Sequence, residues 1–90
     1  MSAEHDESSM VPHAKAALTH IVRSIVDEPD AVRVTETPLG ERARLDVTVA
    51  EGELGRVIGR RGRTAASIRT VTRAAAARDD VDIDIEFVDD

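Results

Sequence analysis

Apolar residues along the 90-residue chain recur in two periods, and the switches between them lay out six elements. From Pro12 onward, Ala14, Leu18, Ile21, Val22 and Ile25 fall three or four apart, on one helical stripe about 100° wide. Pro12 suits the first turn of that helix. Asp27-Glu28-Pro29 ends it, because proline disfavours helical geometry in its predecessor. Ala31 to Thr37 is rich in β-branched side chains and reads as a strand, with a turn at Pro38-Leu39-Gly40. Arg44 to Ala50 alternates, placing Leu45, Val47 and Val49 on one face and Arg44, Asp46 and Thr48 on the other. Glu51-Gly52-Glu53 breaks this strand and sets acid at the start of a short helix holding Leu54, Val57 and Ile58, where the helix dipole favours it. A turn at Gly59–Gly62 leads into a longer helix, about Arg63 to Arg78, with Ala65, Ile68, Val71, Thr72 and Ala75 expected on its inner face. Val81, Ile83, Ile85 and Phe87 then alternate with Asp82, Asp84 and Glu86, the clearest strand pattern in the chain. The order α-β-β-α-α-β predicts an α+β domain, a three-stranded sheet with three helices packed on one face.

Length allows one small domain with a thin core. Residues 1–10 are polar and acidic and are expected to be a disordered tail, residues 11–88 the domain, and residues 89–90 a C-terminal tail. Without cysteine there is neither a disulfide framework nor a thiolate metal site. No apolar run approaches the roughly 20 residues that span a bilayer. The acidic N-terminus also lacks the basic-then-apolar order of a secretory signal, so the expected location is the cytoplasm, with no membrane contact.

Charge changes the picture more than composition does. The net charge of −6 hides a partition: residues 54–78 carry seven arginines (56, 60, 61, 63, 69, 73 and 78) and no acid. The rest of the chain holds five basic residues against 18 acids. A basic segment inside an acidic chain is the local signature of a polyanion site, although a solvated helix face whose arginines pair with nearby acids would carry the same composition. The arginines concentrate around Gly59-Arg60-Arg61-Gly62, a turn with glycine at both ends. Glycine lets backbone approach a sugar-phosphate chain, where Arg60, Arg61 and the first N–H groups of the next helix can meet phosphate.

The aliphatic pair Val57-Ile58, this turn and the helix after it resemble the GxxG loop of the KH domain, a module that clamps about four nucleotides of single-stranded nucleic acid. A core of strand, helix, GxxG, helix and strand, preceded by an extra helix and strand, is similar to the type II, bacterial KH fold. Ile25 to Val34 and Gly55 to Val71 look like the corresponding parts of the KhpA family, whose members are little more than one KH domain; the likeness covers about residues 12–88. The resemblance implies RNA binding through Gly59, Arg60, Arg61, Gly62 and Arg63, flanked by Arg56, Val57, Ile58 and Arg69. It places Val57, Ile58 and Ile68 near the floor of an aliphatic groove and Val47 or Val49 near its wall, positions that core packing explains equally well. It further implies an RNA chaperone or post-transcriptional regulator, acting as a homodimer or with KhpB, a larger KH-domain protein, and linked to cell-envelope and cell-shape control. A KH-fold protein-interaction module that has lost RNA binding, and a single-stranded DNA binder, stay open as alternatives.

Other chemistry finds little support. Gly52-Glu53-Leu54-Gly55 is a GxxG by spelling, but Glu53 would repel phosphate. Phe87 is the sole aromatic and continues the inward row of the last strand, so it reads as core and not as a stacking surface. A phosphate-binding P-loop needs a glycine followed by lysine, and Lys15 is the sole lysine. His5, His13 and His20 read as exposed and idle, and the acids at 82, 84 and 86 form an outward row with no loop to wrap a cation. Neither an enzyme, a cofactor, a metal nor a small-molecule substrate is expected.

Overall fold

The computed structural model describes residues 9–88. Helix α1 (Pro12–Ile25) begins on proline and buries Ala14, Leu18 and Val22, one residue per turn of its stripe. Val26 turns extended and ends it, as the Asp27-Glu28-Pro29 sequence requires. No side chain of its own caps α1. Instead Asp79, from the far end of the chain, accepts the backbone N–H groups of His13 (3.1 Å) and Ala14 (2.9 Å). A carboxylate at a helix N-terminus satisfies orphan donors and complements the dipole.

Strand β1 (Arg33–Leu39) starts two residues later than the sequence suggests, because Pro29–Ala31 closes as a 3₁₀ turn with Val32 N–H on Pro29 O at 3.2 Å. It then runs through the expected Pro38-Leu39-Gly40 turn, leaving only Gly40 and Glu41 to reverse the chain. Proline is tolerated there because β1 is an edge strand and needs no outward N–H. Strand β2 (Arg42–Thr48) is shifted two residues earlier than expected, since its antiparallel partner pairs Arg33 with Thr48 and offers nothing beyond. The phase of alternation is nonetheless as read: Ala43, Leu45 and Val47 are fully buried.

Helix α2 (Leu54–Ile58), a 3₁₀ turn at Arg60–Gly62 and helix α3 (Arg63–Asp79) form the crossover to β3 (Asp82–Phe87), which lies parallel to β2. The sheet order is β1-β2-β3, mixed, with β2 central. Its inner rows, Val34–Val47–Phe87 and Glu36–Leu45–Ile85, face the helices. Its outer face is polar, and Arg42 reaches Asp84 at 2.6 Å and Asp82 at 3.9 Å.

Helix α3 buries Ala65, Ile68, Thr72 and Ala76. The expectation for Val71 and Ala75 is corrected: Val71 is 50% exposed, and Ala76 takes the place of the half-buried Ala75. Spacing outranks hydrophobicity here, because the Thr72 hydroxyl donates to Ile68 O at 2.7 Å and so enters the core with its polar group satisfied. Of the stretch read as a tail, Ser9 and Met10 are anchored on β1, the Ser9 hydroxyl and Met10 N–H both donating to the Glu36 carboxylate at 2.6 and 2.8 Å. Residues 1–8 and 89–90, with His5 among them, lie outside the described residues.

Candidate nucleic-acid interface

The loop between α2 and α3 is built by backbone that most residues avoid. Gly59 ends α2 at φ 77°, ψ 175°, and a Cβ there would run into the Thr64 side chain and lie 2.9 Å from Thr64 N. Arg61 (φ 58°) and Gly62 (φ 74°) follow in the left-handed region. The Gly62 N–H donates to Gly59 O at 3.2 Å and closes the turn. Open space surrounds the position of a Gly62 Cβ, with no atom within 4 Å. Among the described residues no side chain caps α3, whose 17 residues begin directly after this loop.

The sequence-predicted residues divide into three groups. Arg60, Arg61 and Arg63 are exposed and, among the described residues, make no hydrogen bond or ion pair through their side chains. Guanidinium groups so exposed are chemically able to meet phosphate oxygens. Arg56, by contrast, is held by Asp27 (3.1 Å) and Glu53 (3.7 Å), so its charge is already answered. Arg69 lies along α3 with its guanidinium carbon 5.1 Å from the centroid of the Phe87 ring, and donates to Ile85 O at 3.4 Å.

The aliphatic floor is largely core. Val57 has no accessible surface, so it supports the loop from beneath and presents nothing to a strand lying above. Ile68, Val47 and Val49 are buried as well, which decides those open positions for packing. Ile58 alone of the set is half-buried, at the edge of the loop.

Two acids hold the frame through partners that the sequence pattern does not reveal. Glu53 does not cap its own helix; its buried carboxylate accepts the N–H groups of Asp27 (2.6 Å) and Glu28 (2.9 Å), tying the start of α2 to the end of α1. Asp79, with 1% of its side chain exposed, also meets the His13 ring Nδ1 at 2.7 Å. Exposed His13 is therefore not idle, a correction to the reading of the three histidines; His20 is exposed. Burial pushes the Asp79 carboxyl up, but the Ala14 N–H, the His13 ring and the His13 N–H outweigh it and leave the group below its ordinary range.

A broad concavity at the opposite end of β3 is lined by Arg42 and Arg73 but also by Glu41, Asp80, Asp82 and Asp84, an acid-rich surface unsuited to phosphate. Among the described residues, no three His, Asp or Glu side chains gather as a metal site would need.

The model of the KhpA/KhpB KH domain matches residues 15–87. The chain belongs to that KH-domain family. Family relatives extend over most of its length. The "RNA-binding protein KhpA" of Leifsonia xyli subsp. xyli is 51% identical over 76 residues, covering 82% of this chain and 95% of the relative. That of Streptomyces coelicolor is 47% identical over 73 residues, 81% and 91% of the two chains. The Chlamydia trachomatis protein of the same name is 36% identical over 76 residues, 84% and 97% of the two chains. No solved structure matches the chain significantly. Gly59–Gly62 lies between the two helices of a strand-helix-helix-strand unit within the matched residues.

Proposed function

We propose that the chain binds single-stranded RNA, with Gly59–Gly62 as the clamp and Arg60, Arg61 and Arg63 as the phosphate contacts. The observation that carries this reading is the set of three guanidinium groups, unpaired among the described residues, around a left-handed glycine turn, next to a helix N-terminus that no described side chain caps. Phosphates passing the loop would gain charge-assisted hydrogen bonds without displacing an existing partner. Arg56 acts as a brace for the loop, and the relatives named as RNA-binding proteins support the choice of ligand.

The physiological role proposed is that of a non-catalytic RNA chaperone or post-transcriptional regulator in the cytoplasm, with consequences for the cell envelope and cell shape. Among the described residues no helix is long and apolar enough to cross a membrane. A four-nucleotide grip is weak, so the working unit would contain two KH domains, from a second copy or a larger KhpB-like partner. The outer face of α3 suits such a contact: Ala66, Ala74 and Ala77 are exposed and small, and Val71 is an exposed large hydrophobic beside them.

Titrating the purified chain with short single-stranded RNA and DNA of the same sequence, at two salt concentrations, tests the reading. RNA affinity that falls with salt supports it. Equal affinity for DNA would relocate the function to single strands in general, and no binding of either would leave a protein-interaction module.

A further inference from the structure

Phe87, the sole aromatic of the chain, is less deeply buried than its neighbours on the same strand face. Ile83 and Ile85 are 4% and 3% exposed, whereas Phe87 at the end of β3 is only half-buried. Its ring is covered by the guanidinium of Arg69, centred 5.1 Å away, within cation–π range. The same guanidinium reaches Ile85 O at 3.4 Å. That carbonyl lies on the unpaired side of an edge strand: Val88 N–H turns inward to Val47 O (2.8 Å), so the peptide groups three residues earlier, alternating in direction, turn outward. Arg69 is thus held over the ring by two contacts at the open edge of the sheet, itself half-buried and still in contact with solvent.

The position matters as much as the geometry. Helix α3 runs back over β3, so the end of β3 lies beside the first turns of α3, where the arginine loop sits. Arg69 is six residues beyond Arg63, about 9 Å along the helix axis. That distance falls inside the span of a four-nucleotide footprint. A guanidinium plane is itself a stacking surface for bases.

We infer that the Arg69–Phe87 pair is a base-stacking platform, on which one nucleobase of a strand gripped at the loop lies against the outer face of the Arg69 guanidinium. Phe87 is a positioning residue: it fixes the plane that Arg69 presents. The subsite takes any nucleobase, with purines favoured by their larger face. The chain thereby gains a π-surface that a single inward-facing phenylalanine does not advertise. This inference rests on the clamp reading above.

The test places 2-aminopurine at each position in turn of a short single-stranded RNA and follows its fluorescence on titration with wild-type protein, R69K and F87L. Wild type is expected to alter the signal strongly at one position. R69K keeps the charge and loses the plane; it should abolish that change and weaken binding about tenfold, while the salt dependence stays as in wild type. F87L, checked for an intact thermal transition, should reduce the same signal at the same position. Wild-type binding with an identical signal from R69K would overturn the platform and leave the clamp standing. Failure of wild type to bind any oligonucleotide would overturn the clamp and the platform with it.

Discussion

The two glycines of the loop are not equivalent. A methyl group on Gly59 collides with Thr64, whereas one on Gly62 meets nothing within 4 Å and carries only the strain of a left-handed φ. G62A should therefore lose about 1–2 kcal/mol, a fall in the melting midpoint of several degrees, and G59A clearly more. Equal thermal shifts for the two variants would show that Thr64 moves aside at no expense. Asp79 offers a second residue-scale test. Its folded pKa is depressed, so its stabilisation is complete above the ordinary carboxylate value near 3.9 and is lost as pH falls through the lower folded value. D79A should lose about 1 kcal/mol at pH 7 through the uncapped α1, and its deficit relative to wild type should shrink in strong acid. A deficit that stays constant from pH 7 to pH 2 would contradict the assignment. The turn was legible from spelling, because Gly59 and Gly62 mark a local break between two helix-patterned segments. The roles of Asp79 and Glu53 were not, because their partners lie 65 and 25 residues away in sequence.

At the scale of elements, periodicity carried the reading and its failures are instructive. The β2 phase was correct because alternation fixes which face is buried whatever the end points. Both strands of the hairpin slid by two residues because the ends depend on pairing, which no single strand encodes. On α3 the exposed Val71 and buried Thr72 reversed the hydrophobic ranking, since a hydroxyl bonded to its own helix backbone is no burden in a core. Val71 now has a use as a probe. V71K should leave the monomer's stability within about 0.5 kcal/mol, as an exposed change does, while weakening any association through the outer face of α3. Light scattering at tens of micromolar reads the difference; association equal to wild type would place the contact elsewhere.

For the whole molecule, the governing fact is a basic loop on an acidic body, at a net charge of −6. Among the described residues, three of the seven arginines of residues 54–78 are unpaired at the loop, one is braced against acids and one lies over a ring. Three phosphate contacts predict that log K falls with log salt at a slope of roughly −2, using about 0.7 per phosphate for a single strand. A slope near zero would point to an uncharged interface. The most direct test of the central claim is the RNA affinity of the R60D/R61D double variant, measured by fluorescence anisotropy beside its thermal midpoint. The account predicts that RNA binding is abolished while the midpoint stays within a few degrees of wild type, both side chains being exposed and, among the described residues, unpaired. Wild-type affinity in that variant would contradict it.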